Sequence, residues 1–158
     1  MKAQEWVFLL HRLPREPSAP RLALWRALRR LGALIVSDGL AALPAGPRTI
    51  EHMQWLASGL AEHGGSGSVW VARPATRREG ETLAAQSRTA VDAEYQALVA
   101  EATDATDESD ATRRRTIQRL RRQLRGIEGR DFFGATSGAR ARRAVAALAA
   151  TDQTVAVR

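Results

Sequence analysis

The sequence contains no cysteine, one tyrosine, and one lysine among its 24 cationic residues. Without cysteine the chain can form no disulfide, thiolate metal site, iron–sulfur cluster or thiol nucleophile. The three histidines, His11, His52 and His63, do not show the close spacing of zinc ligands. No G-x-G-x-x-G motif is present, and GGSGS at 64–68 lacks the G-K-[ST] ending of a phosphate-binding loop. We therefore expect neither a metal nor a cofactor.

Long apolar runs are also absent. No segment approaches the roughly 20 apolar residues that a membrane-spanning helix needs. At the N-terminus, His11 and Arg12 come too early to leave room for the apolar core of a signal peptide. We therefore expect a cytoplasmic protein that does not enter the membrane. Its 158 residues suit one domain, or one domain with a helical appendage.

The chain has a formal net charge of +7, and this charge is distributed unevenly along the sequence. Residues 1–100 carry twelve cations and nine anions, and residues 101–110 carry five anions and no cation. Residues 111–158 carry twelve arginines and three anions. The basic character therefore lies mainly in the C-terminal third, directly after the acidic segment.

The first half of the chain has the strand, turn and helix-capping signals that are expected of a small α+β domain. An apolar run at Trp6–Leu13 and a second at Ser68–Arg73 predict strands. Ser18 and Thr49 are candidate N-caps of two amphipathic helices, and Gly32 is a candidate terminator of the first. Asp38-Gly39 predicts a type I′ hairpin turn. The resulting order, β-α-β-β-α-β, predicts a ferredoxin-like core over residues 1–75.

The second half predicts a helical extension over residues 76–158. Thr76 and Glu79 form a capping box for a long helix, and the acidic segment 101–110 is interpreted as a turn or flexible loop. An arginine-rich helix and a last helix around Val145 and Leu148 follow. We expect this extension to pack on the core, so that the chain is one domain.

The arginine-rich segment 113–130 is amphipathic. Ile117, Leu120, Leu124 and Ile127 recur at helical spacing and form one apolar stripe. The charge pattern leaves two alternatives open for the remaining, arginine-rich surface of this helix. It is either a phosphate-contacting surface or a solvated face neutralised by residues 101–110. The candidate DNA contacts are Arg113, Arg114, Arg115, Arg119, Arg121, Arg122 and Arg125.

A second hypothesis is a binding site for a tetrahedral oxyanion. Such a site would require arginines or amide N–H groups as hydrogen-bond donors. The candidates are His11, Arg12 and Arg15 after the first strand, and Arg73 after the last. The alternative interpretation, exposed cations at strand ends, is favoured here. The four tryptophans, Trp6, Trp25, Trp55 and Trp70, are expected mostly in the core, although an exposed one could stack on a base.

Several blocks of the sequence together resemble one family. They are WVFLLHRLP, SAPRLALWRALRRLGA, GLAALP, EHGGSGSVWVARP and RQLRGIEGRDFFG, followed by an alanine-rich helix. These blocks cover nearly the whole chain and are similar to the N-terminal domain of the chromate-resistance regulators called ChrB. The first half also resembles the central domain of PaaX-type repressors and the small CRISPR nuclease Cas2.

The resemblance implies a chromate-responsive regulator of transcription that binds DNA and acts on genes for chromate resistance. It also implies that full-length members carry a second, C-terminal domain. A nuclease of the Cas2 type would be expected to have an acidic residue where this chain has His11 and Arg12, so we expect no catalysis. The alternative function is an oxyanion-sensing or protein–protein interaction module that works with a separate partner. The sequence is compatible with a homodimer but does not decide the oligomeric state.

Overall fold

The structure is a computed structural model that describes residues 4–155, with side chains described through Thr151. The chain divides into two compact units, Met1–Ser87 and Arg88–Arg158. This division falls inside a long helix, whereas the sequence predicted a boundary between residues 75 and 76. Among the described residues, no helix is long and apolar enough to cross a lipid bilayer. The expectation of a single packed domain stays a prediction.

The first unit has the predicted order of elements, and the α+β class is confirmed. Strand β1 is central in a four-stranded antiparallel sheet of order β2-β3-β1-β4. A 3-10 turn at Ala61–His63 separates the second helix from the last strand. The elements are β1 (Trp6–Arg12), α1 (Ala19–Leu31), β2 (Leu34–Ser37), β3 (Leu40–Pro44), α2 (Pro47–Gly59) and β4 (Ser66–Ala72).

The core of the first unit lies between the sheet and its two helices. Alternate residues of β1, Val7 and Leu9, are fully buried, as expected when one face of a central strand meets a helical layer. This burial fixes the register of β1, since a shift by one residue would turn Val7 and Leu9 away from the helices. The core is completed by Leu24, Leu28, Ala41, Leu43, Met53, Leu56 and Leu60.

The Asp38-Gly39 dipeptide does connect two strands, but the predicted type I′ turn is wrong. That turn needs positive φ at both central residues. Here only Gly39, with φ of 78°, is in the left-handed region. The strand register also shifts between Ile35 and Ser37, so the pairing of β2 with β3 is irregular next to this turn. Gly39 is also required for space, because a Cβ there would lie 2.7 Å from the His11 carbonyl oxygen.

The predicted helix ends are partly correct. Gly32 terminates α1 with φ of 73°, as predicted, while Ser18 precedes α1 without a side-chain capping bond. Helix α2 begins three residues earlier than expected, at Pro47, with Gly46 rather than Thr49 as its N-cap. Thr49 nevertheless caps the helix, because its Oγ1 accepts the Gly46 N–H at 2.9 Å.

The second unit contains the end of α3 (Arg77–Asp104), α4 (Asp110–Glu128) and α5 (Gly138–Val155). The predicted Thr76–Glu79 capping box is present at the start of α3. The Thr76 N–H donates to Glu79 Oε2 at 2.9 Å, and the Glu79 N–H donates to Thr76 Oγ1 at 3.2 Å. The interpretation of residues 101–110 as a turn or flexible loop is correct only in part. Residues 101–104 continue α3, Ala105–Asp107 form a 3-10 turn, and Asp110 begins α4. Ala102 and Ala105 recur at helical spacing and are buried.

The expectation of core packing holds for Trp6, which is fully buried, and is wrong for the other three tryptophans. Trp25 is 49% exposed, Trp70 61% and Trp55 74%. The error arises from the position of each ring within its element. Trp25 and Trp55 lie beside the apolar stripes of α1 and α2, whose buried positions are Leu24, Leu28, Met53 and Leu56.

Substitution of Leu120 tests the core of the second unit. Leu120 of α4 is fully buried. Leu120→Ala should therefore lower the free energy of unfolding by about 2–5 kcal/mol through lost burial and a residual cavity. Urea denaturation followed by circular dichroism measures the change. Leu22→Ala is the control, because Leu22 is 45% exposed. Equal effects of the two substitutions would contradict this assignment of the core.

Candidate functional site

Helix α4 presents its arginines on the side opposite a buried stripe. Ile117, Leu120 and Ile127 are buried as the sequence predicted, and Leu124 is half-buried against the same cluster. That cluster also contains Val145 and Leu148 of α5. Because one side of α4 is held in this way, the remaining side is exposed. The exposed candidates are Arg114, Arg115, Arg119, Arg121, Arg122 and Arg125.

Arg113 does not belong to this exposed set, which corrects its assignment as a DNA contact. It is only 5% exposed, and its guanidinium donates to the Glu108 carbonyl oxygen at 2.9 Å and to the Asp110 carboxylate. The Thr116 hydroxyl donates to the Glu108 carboxylate at 2.9 Å. Arg113 therefore secures the first turn of α4, and its guanidinium does not reach a phosphate in solvent.

The acidic segment neutralises one of the exposed arginines. Arg119 donates to Glu101 Oε2 at 2.5 Å, and both side chains are about half exposed. By contrast, Arg121, Arg122 and Arg125 have no ion-pair partner among residues 4–151, whose side chains the structure describes. Each alternative from the charge pattern thus describes part of the helix. One arginine is neutralised by the acidic segment, whereas others face solvent without a paired anion, as a phosphate-contacting surface requires.

Arg115, Arg119 and Arg122 lie along one stripe of α4, spaced by four and three residues. Together with Gln118 and two threonines they line a shallow depression of about 540 Å³. Arg115 and Arg122 are seven residues apart, which corresponds to roughly 10 Å along the helix axis. A row of guanidinium groups at this spacing can donate bidentate hydrogen bonds to successive anionic oxygens.

The loop between α4 and α5 is attached to α3, and these contacts hold the arginine helix in place. Arg130 makes two hydrogen bonds of 2.6 Å with the Glu94 carboxylate. The Asp92 carboxylate accepts the Ser137 N–H at 2.7 Å, which holds the pKa of Asp92 below its usual value. Burial and the nearby Asp131 carboxylate raise the pKa of Tyr95 to about 12. Tyr95 therefore stays protonated at neutral pH and donates to Asp131 at 3.4 Å.

The predicted oxyanion residues do not all converge. His11, Arg12 and Arg15 line one cleft of about 1300 Å³ in the first unit. Burial lowers the pKa of His11, with a smaller opposing effect from Asp38, so this imidazole is mainly neutral at pH 7. Arg73 lies at the other end of the sheet, where it pairs with Glu5 at 3.0 Å. The antiparallel pairing of β1 with β4 separates Arg73 from the cleft by the length of a seven-residue strand, roughly 20 Å.

Sequence reasoning missed the contribution of α1 to this cleft. Arg21, Leu22 and Trp25 line it, and Trp25 stacks under the guanidinium of Arg29 at 5.3 Å. A signal was present, because α1 carries four arginines and no acidic residue. Among the described residues, no group of three or more histidine, aspartate or glutamate side chains could hold a metal ion.

A substitution at Arg113 separates its structural role from a role in binding. Arg113→Met should lower the free energy of unfolding by about 1–3 kcal/mol, because it leaves oxygens of Glu108 and Asp110 without their donor. Arg122→Met, the same substitution at an exposed position, should change the free energy of unfolding by less than about 0.5 kcal/mol. Thermal and urea denaturation measure both. A larger loss for Arg122→Met would contradict this distinction.

Comparison with known proteins shows that the chain matches one protein family. The model described as "Protein ChrB, N-terminal" matches residues 21–157. Protein ChrB of Cupriavidus metallidurans is 31% identical over 140 residues, which cover 86% of this chain and 43% of that protein. The chain therefore spans less than half the length of this relative. No solved structure matches the chain at a significant level.

Proposed function

The chain belongs to the ChrB N-terminal domain family, and from that premise we propose that it is the DNA-contacting part of a chromate-responsive regulator of transcription. Family membership implies involvement in chromate resistance. The proposed role is regulatory and non-catalytic, and it is exerted in the cytoplasm on chromate-resistance genes. The observation that carries the proposal is the exposed arginine face of α4.

The support from α4 is both geometric and electrostatic. Six exposed arginines occupy the twelve residues from Arg114 to Arg125. These residues span roughly 17 Å of helix. A helix fits the major groove of B-DNA, where guanidinium groups can contact phosphates and the edge of guanine. Attraction to the phosphate backbone needs no preformed pocket, so an open face is sufficient. Arg121, Arg122 and Arg125 have no paired anion within the described side chains of residues 4–151 and are the foremost candidates.

For the first unit we propose the ferredoxin-like fold. The β-α-β-β-α-β order and the strand order β2-β3-β1-β4 support this assignment. Further support comes from one core that unites both helices with residues of β1 and β3.

Removal of three arginines tests the DNA-binding surface. The triple variant Arg121→Ala, Arg122→Ala and Arg125→Ala should weaken binding to DNA of any sequence. It should also reduce the magnitude of the slope of log Kobs against log[salt] by about one for each lost phosphate contact. Fluorescence anisotropy with a labelled duplex from upstream of the gene, and with a scrambled duplex, measures both quantities.

The matched control removes three exposed arginines from the first unit, Arg26, Arg30 and Arg48, by the same substitutions. The control variant should keep the salt slope of the wild type within about one. An unchanged slope in the α4 variant would exclude this helix from the interface. Absence of binding by the wild type at low salt would reject the DNA-binding proposal itself.

A second candidate function, oxyanion binding, is favoured by one observation: His11, Arg12 and Arg15 line a common cleft. If chromate or sulfate binds there, millimolar anion should raise the melting temperature by mass action. Differential scanning fluorimetry measures the shift, with Arg12→Ala and Arg15→Ala together as the variant and Arg48→Ala as control. The same shift in wild type and cleft variant would place the anion elsewhere, and no shift would reject this function.

A further inference from the structure

The cleft of the first unit exposes large apolar side chains. Three of them, Leu22, Trp25 and Ile35, line it, and each is between 45% and 49% exposed. They come from α1 and β2, so two separate elements bring them together. Isolated exposed apolar residues are common in proteins, whereas a set gathered in one concave surface is typical of an interaction site.

The same cleft has a cationic rim. Arg12, Arg15 and Arg21 line it, and none of the three has an ion-pair partner in the part of the chain with described side chains, residues 4–151. Asp38 is the one acidic residue in the described lining, and it opposes only part of this charge. An apolar centre with an arginine rim is the usual composition of a protein-binding surface.

Trp25 is held in position for such a contact. The Arg29 guanidinium lies 5.3 Å from the centre of its ring, which is the geometry of a cation–π interaction. Tryptophan and arginine are the residues most enriched among those that dominate binding energy in protein interfaces. A ring that is already oriented loses little conformational freedom when a partner covers it.

Other occupants fit these features less well. A tetrahedral dianion is far smaller than the volume of about 1300 Å³ and would leave the three apolar side chains in water. A nucleic acid would be attracted by the arginines, but only Trp25 offers an aromatic face for base stacking, and Leu22 and Ile35 offer none. A second copy of the chain docked symmetrically would place the same three arginines opposite each other.

We propose that this cleft binds an acidic amphipathic helix of a protein partner. The apolar face of such a helix would cover Leu22, Trp25 and Ile35, in the helix-in-groove mode of recognition. Acidic residues along its flanks would face Arg12, Arg15 and Arg21. This inference does not depend on DNA binding by α4, because it concerns a different surface on the other unit.

Selection of peptides from a random 16-residue display library on the whole chain tests the proposal. Enriched peptides should carry net negative charge and apolar residues at i, i+3, i+4 and i+7. Binding of one enriched, labelled peptide is then measured by fluorescence anisotropy. The variant Arg12→Glu with Arg21→Glu should weaken it roughly tenfold or more, as should Leu22→Ser alone. The matched control is Arg48→Glu, an exposed arginine of α2 outside the cleft, which should leave the affinity unchanged.

Three outcomes would overturn the proposal. One is the absence of enriched peptides, or enrichment of peptides without acidic, amphipathic character. Another is an affinity that responds to Arg48→Glu as strongly as to the cleft variant. The third concerns a labelled 12-nucleotide single strand or duplex. If the variant Arg12→Glu with Arg21→Glu loses binding to this nucleic acid but binds the peptide as the wild type does, the cleft is a nucleic-acid site. Circular dichroism of each variant verifies that the fold is retained.

Discussion

Burial of Ile117, Leu120 and Ile127 is the constraint on which the second unit depends. These side chains pack with Val145 and Leu148 of α5 and with residues of α3, and this packing decides how α4 is rotated about its axis. The rotation in turn decides which arginines face solvent. Net charge alone would not produce an ordered basic surface, because arginines on a freely rotating or frayed helix would present no fixed spacing to a row of phosphates.

The balance of charge in the second unit follows from the same packing. Residues 88–158 contain thirteen arginines and ten acidic residues, so this unit is less basic than its arginine-rich helix suggests. The carboxylate of Glu101 lies beside the middle of α4, where it pairs with Arg119, and the carboxylate of Asp110 pairs with Arg113 at the start of the helix. The uncompensated charge is therefore concentrated toward Arg121, Arg122 and Arg125, in the second half of the helix.

The two units offer surfaces of different chemistry. The exposed side of α4 is polar and open, which suits a partner whose binding depends on charge and salt. The cleft of the first unit joins exposed apolar groups to an arginine rim, which suits a partner that buries apolar surface as well. A regulator that contacts DNA through one unit and a protein segment through the other would use both. The share of the Cupriavidus metallidurans relative that this chain spans, 43%, leaves more than half of that protein outside the comparison.

The sequence by itself determined the elements whose signals are local. The apolar run of β1, the Gly32 stop, the Thr76–Glu79 capping box and the apolar stripe of α4 each depend on neighbouring residues, and each was predicted correctly. The sequence also placed six of seven candidate arginines on an exposed face. Only the tertiary structure decided the rest, because it depends on residues distant in the chain. Burial of Arg113, the separation of Arg73 from His11, and the convergence of α1 with the ends of β1 and β2 all result from packing between elements.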